Sequence, residues 1–95
     1  NSLSNYRVFE TDEFRSSLDR LDSDQKRFVE SKLKKYVYPQ IKEQPCYGTN
    51  IKKLQGYTPE TWRYRLGQFR LFYGIDEHKR IVSIVTIDYR KDAYK

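Results

Sequence analysis

Apolar and polar residues follow two different periods along this 95-residue chain, and the change from one to the other divides it in half. "YRVFE" (6–10) is short, aromatic and β-branched, and reads as a first strand. "TDEF" then offers Thr11 as a helix N-cap, with acidic residues in the first turn. Phe14, Leu18 and Leu21 follow at i, i+4 and i+7, one apolar stripe of a helix. At "DSDQ" the signal restarts, with Asp22 or Ser23 capping a second helix. Its stripe is Phe28, Val29, Leu33, Tyr36 and Val37, and "SKLKK" covers its outer face. Pro39 is expected to end or kink this helix, leaving Ile41 to pack beyond it. Two helices joined so tightly form an antiparallel hairpin whose apolar side needs a partner.

That partner is the second half. Residues 43–61 hold two prolines, two glycines and little periodicity, and read as a long connection of the kind that often carries function. Three strands follow, at about 62–66, 69–76 and 80–89. Gly67-Gln68 fits a two-residue hairpin turn with glycine first, and "DEHKR" fits a longer turn. "RIVSIVTI" is apolar almost throughout, so it is expected to be a central strand covered on both sides. The predicted fold class is α+β: an N-terminal strand, a two-helix antiparallel hairpin, then a three-stranded antiparallel meander forming a twisted sheet, all in one domain over 1–95.

The Gly67-Gln68 turn fixes a register. Leu66 faces Phe69, Arg65 faces Arg70, and Arg63 faces Phe72. Trp62, Tyr64, Leu66, Phe69, Leu71 and Tyr73 then share the side the helices cover, while Arg63, Arg65 and Arg70 share the other. If the next turn has an odd number of residues, Thr86, Asp88 and Arg90 join the arginine face. A solvated sheet face accounts for any one of these arginines. Their clustering does not follow from folding alone, because like charges directly opposed across strands are destabilising. With Asp88 the closest candidate acid, the arginines are expected to stand apart from acids and repel one another. A bound polyanion turns that repulsion into attraction.

Charge sharpens the picture. The net charge is +6, and its excess lies in the second half: ten Lys/Arg against five Asp/Glu over 51–95, but nine against eight over 1–50. Trp62 and five of the nine tyrosines also lie in the second half. Cations interleaved with aromatic rings suit nucleic acid, since the former neutralise phosphates and the latter stack on bases. An acidic protein partner fits the charge as well. No apolar run is long enough to span a membrane and no signal-peptide pattern opens the chain, although a chain without methionine is not expected to begin at its native start. The lone Cys46 forms no intramolecular disulfide and fits a reducing, cytoplasmic setting as a passive loop residue. His78 lies in a charged turn, and the sequence holds no metal-ligand cluster, no phosphate-binding glycine loop and no plausible carboxylate pair. No metal or other cofactor is expected; an enzyme built from this chain works with Arg, Lys and Tyr.

The order of elements, with "IKKLQG", "WRYRLG", "FRLFYGID", an apolar strand and a terminal "YRKDAY", resembles the RelE/ParE superfamily of toxins from toxin–antitoxin pairs, over nearly the whole chain. It looks most like the RelE branch, which implies a metal-free endoribonuclease that cuts mRNA in the ribosomal A site and so inhibits translation. By position, the resemblance implies that Arg70 contacts the scissile phosphate and that Arg63 and Arg65 stand where relatives often carry lysine. It further implies that Arg90 ends the last strand as a catalytic arginine and that Tyr94 stacks on substrate. Lys52, Lys53, Arg63, Arg65 and Lys91 are the expected RNA-binding cations. Arginine at both lysine positions removes an easily deprotonated group, and Tyr89 stands where many relatives have histidine. The implied partners are mRNA, the ribosome and a cognate antitoxin that wraps the toxin with an acidic and apolar segment. The alternatives are a ParE-type toxin that poisons DNA gyrase, and a basic RNA-binding module without catalysis.

Overall fold

A computed structural model describes residues 5–89. Strand β1 (Arg7–Glu10) leads into helix α1 (Asp12–Asp19) and helix α2 (Ser23–Lys32), then a π-helical segment, Leu33–Val37, and helix α3 (Tyr38–Glu43). Strands β2 (Ile51–Lys53), β3 (Trp62–Leu66), β4 (Phe69–Asp76) and β5 (Ile81–Tyr89) complete it. They form one five-stranded sheet in the order β1-β5-β4-β3-β2, with β1 parallel to β5 and the other pairs antiparallel.

Both helix starts are capped as the sequence suggests. The Thr11 side chain accepts the Phe14 N–H, and Asp22 with Gln25 closes a reciprocal capping box. Pro39 neither ends the helical run nor leaves Ile41 beyond it. The turn ahead of it widens, with the Tyr38 N–H reaching back to the Leu33 carbonyl, and the chain continues as α3 with Ile41 fully buried. A wide turn next to a proline, which brings no N–H of its own, lets the helical run survive.

The core forms between the helices and one sheet face. Phe14, Leu18, Val29, Leu33, Val37 and Ile41 meet Tyr64, Phe69, Leu71, Tyr73, Val82, Ile84 and Ile87. Of the expected second-helix stripe, Phe28 and Tyr36 remain exposed. Two core tyrosines keep their hydroxyls satisfied: Tyr64 donates to Gln40 Oε1 and Tyr73 to the Pro45 carbonyl, both at 2.6 Å.

Three sequence expectations are corrected here. The connection over 43–61 contains a strand, β2; three residues are too few to show a period, but they pair with the open edge of β3. β5 is central in the sheet, yet only one face is deeply buried, while Ile81, Ser83 and Val85 on the other side are half-exposed. The β4–β5 turn is even, four residues long, with Asp76 opposite Ile81. A bulge supplies the missing residue: Tyr73 opposes Ile84 while Phe72 opposes Thr86, so Val85 has no partner on β4. Helix α1 holds that bulge. Thr11 Oγ1 donates to the Ile84 carbonyl at 2.7 Å, with the Val85 carbonyl at 3.2 Å, and the Ile87 N–H donates to the buried Ser17 hydroxyl.

Candidate functional site

The hairpin of β3 and β4 has the predicted register: Arg65 opposite Arg70, Arg63 opposite Phe72, and Leu66 opposite Phe69. Gly67 supports its turn with φ +61°, and nothing stands within 4 Å of where a Cβ would be, so backbone conformation alone favours glycine there. β2 extends the pattern, since Lys52 lies directly opposite Arg63. Two cross-strand rows result on the face away from the helices. One runs Lys52, Arg63, Phe72, Thr86; the other runs Arg65, Arg70, Asp88.

The bulge in β5 puts Asp88 beside Arg70, the face expected from an odd turn. Arg70 is therefore not apart from acids: its Nη2 donates to Asp88 Oδ2 at 2.8 Å. Its guanidinium also lies 5.5 Å from the centre of the Phe72 ring. Arg70 Nε is buried without a hydrogen-bond partner among the described residues. The carboxylate thus offsets part of the Arg65–Arg70 repulsion, and a phosphate entering here competes with it. Guanidinium suits such a guest, because its planar fork binds two phosphate oxygens at once.

Of the sequence candidates, the structure brings Lys52, Arg63, Arg65 and Arg70 onto one face. Lys53 falls on the opposite face by strand alternation, opposite Trp62, and pairs with Glu60 at 2.9 Å. Arg90, Lys91 and Tyr94 lie outside the described residues. Sequence reasoning did not single out Phe72 as the ring under Arg70, although its place across from Arg63 was readable from the hairpin register.

Proton chemistry has few candidates among the described residues. Burial raises the Tyr38 and Tyr73 phenols, with a hydrogen bond to Glu10 adding to the effect at Tyr38. A hydrogen bond to Glu77 raises Tyr6, and burial raises the Cys46 thiol. Each shift leads away from an ionised base or nucleophile at neutral pH. No group of three or more potential metal ligands occurs among the described residues, and no described helix is long and apolar enough to cross a membrane.

Comparison with known proteins gives a consistent picture. A family model described as the ParE toxin of type II toxin–antitoxin system, parDE, matches residues 8–94. A chain of the RelBE2 toxin–antitoxin complex from Mycobacterium tuberculosis is similar with a TM-score of 0.74 and 26% identity, covering 95% of this chain and 97% of that one. For the archaeal RelE–RelB complex from Pyrococcus horikoshii the values are 0.65 and 22%, with 93% and 98% covered. The isolated E. coli RelE toxin has the same fold at 0.65 and 22%, with 94% and 90% covered. No curated protein matches by sequence.

Proposed function

The chain belongs to the ParE toxin family of type II toxin–antitoxin systems; from its likeness to a RelBE2 complex chain and its cationic sheet face we propose that it is a metal-free endoribonuclease. Its substrate is mRNA, cut at the ribosomal A site, and its effect is to stop translation. A cognate antitoxin, acidic and apolar where it wraps the toxin, holds it in check. One observation supports this reading most directly: Lys52, Arg63, Arg65 and Arg70 share a sheet face, where folding alone favours alternating charge.

In the reaction, the RNA 2′-oxygen loses its proton and forms a bond to the adjacent phosphorus. The bond from phosphorus to the 5′-oxygen breaks, and that oxygen takes up a proton. The products are a cyclic phosphate and a free 5′-hydroxyl. Arg70, with Arg63 and Arg65 beside it, stabilises the charge that builds on the phosphoryl oxygens, usually the largest catalytic contribution. Arg90 and Tyr94 complete the set, the one as a further cation and the other stacking on substrate.

Expression of the chain from a tightly controlled promoter, followed by mapping of transcript 5′ ends, tests the proposal. New 5′-hydroxyl ends within coding sequence are expected, and they are expected to disappear in Arg70→Ala. The family model carries the ParE name, which favours gyrase poisoning as a second reading. Intact transcripts together with loss of gyrase supercoiling by the purified chain would establish that reading instead.

A further inference from the structure

Beside the cationic rows lies an open, mainly apolar recess of about 300 Å³, lined by Tyr57, Thr61, Phe72, Val85 and Thr86. It is at the small end of ligand pockets, roughly 300–1,000 Å³, with room for one planar ring system. Tyr57, on the connection between β2 and β3, is 57% exposed. Phe72 belongs to both features. It lines the recess, stands opposite Arg63 across the hairpin, and has the Arg70 guanidinium near its ring.

We infer that this recess seats one unpaired nucleobase of the RNA strand whose phosphates lie on Arg63 and Arg70. The inference rests on the ribonuclease reading and adds where a base is held. Charge complementarity selects the occupant: Arg63 stands opposite Phe72, the Arg70 guanidinium lies near the Phe72 ring, and no acidic residue lines the recess. An apolar ring joined to an anion fits that combination. Adjacent strands stand about 4.8 Å apart, a step comparable to the sugar that joins a phosphate to its base. Tyr57 and Phe72 supply aromatic surface for stacking.

The β5 bulge is what builds this recess. Without it, Thr86 would not stand opposite Phe72, and Val85 would not lie unpaired at its wall. The same irregularity therefore sets both the Arg70–Asp88 contact and the shape of the neighbouring apolar seat.

The test uses the full chain and a short single-stranded RNA made uncleavable by 2′-O-methyl groups, read by fluorescence anisotropy. An abasic unit is moved through the oligonucleotide one position at a time. For the wild-type chain, one position is expected to weaken binding by roughly five- to 150-fold, the range for loss of one stacked base. Tyr57→Ala is expected to weaken the intact oligonucleotide and to become insensitive to the abasic unit at that position. Phe72→Leu is expected to behave alike. If it melts early, Tyr57→Ala decides, since its ring is on an exposed loop. RNA bound normally, with the same abasic profile in wild type and Tyr57→Ala, overturns the base seat and leaves the ribonuclease reading standing. Absence of any RNA binding overturns the base seat, while the ribonuclease reading stands or falls on the transcript 5′ ends. Loss of antitoxin binding in Tyr57→Ala with RNA binding unchanged assigns the recess to the protein partner and overturns the base seat.

Discussion

Arg70 and Asp88 face each other across β4 and β5 with Nη2 and Oδ2 2.8 Å apart, so the central cation of the candidate site carries its own counter-ion. The carboxylate is about half exposed and the guanidinium about a quarter. Solvent screening at that exposure limits the pair to a small contribution to stability, ~0–1 kcal/mol. On the proposed function its larger effect is on RNA, whose phosphate must displace or share the carboxylate. Asp88→Asn is expected to raise affinity for single-stranded RNA about fivefold at low salt and less as salt rises, since like-charge repulsion of phosphate is screened. Anisotropy titrations at two salt concentrations check this; unchanged affinity at both would mean that Arg70 does not meet the phosphate.

Arg70→Ala removes a repulsion with Arg65 and an ion pair with Asp88 together. The two effects oppose, so thermal stability is expected to stay within ~1 kcal/mol of wild type while RNA cleavage is lost. Arg20→Ala, at the exposed end of α1, is the matched control and is expected to remain toxic. A Arg70→Ala protein that is inactive because it has unfolded, seen by melting, would remove the support for a catalytic role.

Four cations on one face set a salt dependence. If Lys52, Arg63, Arg65 and Arg70 all neutralise phosphates, log affinity falls against log salt with a slope of roughly −3. Arg63→Ala is expected to reduce that slope by about 0.7. A flat response places the RNA elsewhere.

The raised phenols give a pH prediction with a fixed sign. Burial raises Tyr38 and Tyr73 in the folded state above the ordinary tyrosine value, near ~10. Folding therefore favours the neutral phenol, and that stability is fully present below the unfolded-state value. Above it the unfolded chain loses protons first, and stability falls with rising pH until the folded phenols ionise. Melting temperature is expected to hold on the neutral side of pH ~10 and to drop above it. The drop is expected to be shallower in Tyr38→Phe, which removes one of the raised phenols. An alkaline profile identical to wild type would show that Tyr38 ionises alike in both states.

Local signals made most of the scaffold legible. The caps at Thr11 and Asp22 and the glycine-first turn at Gly67 are short-range chemistry, and they fixed the helix starts and the whole Arg63–Arg65–Arg70 arrangement. What escaped depends on contacts far apart in sequence. β2 exists only because β3 offers an edge, and Pro39 is tolerated because a wide turn precedes it. The position of Asp88 followed neither from the turn length nor from alternation, because an even turn and a bulge together produce the face an odd turn would. The support for that bulge comes from α1, some seventy residues earlier.

That dependence is itself testable. Thr11 serves as N-cap to α1 and donates its hydroxyl to the Ile84 carbonyl; Ser17 accepts the Ile87 N–H two residues beyond the unpaired Val85. Thr11→Val keeps the shape and removes the hydroxyl, and is expected to cost ~1–2 kcal/mol through the lost cap and donor. Ser17→Ala leaves a buried N–H without its acceptor, at a cost of ~1–3 kcal/mol. Because the bulge fixes which face Asp88 and Thr86 occupy, both variants are also expected to loosen the site. Hydrogen exchange is expected to speed up at Ile87 more than at Val82, which lies on the same strand but away from the bulge. An equal change in exchange at the two amides in Ser17→Ala would show that the β4–β5 ladder holds the bulge without help from the helix.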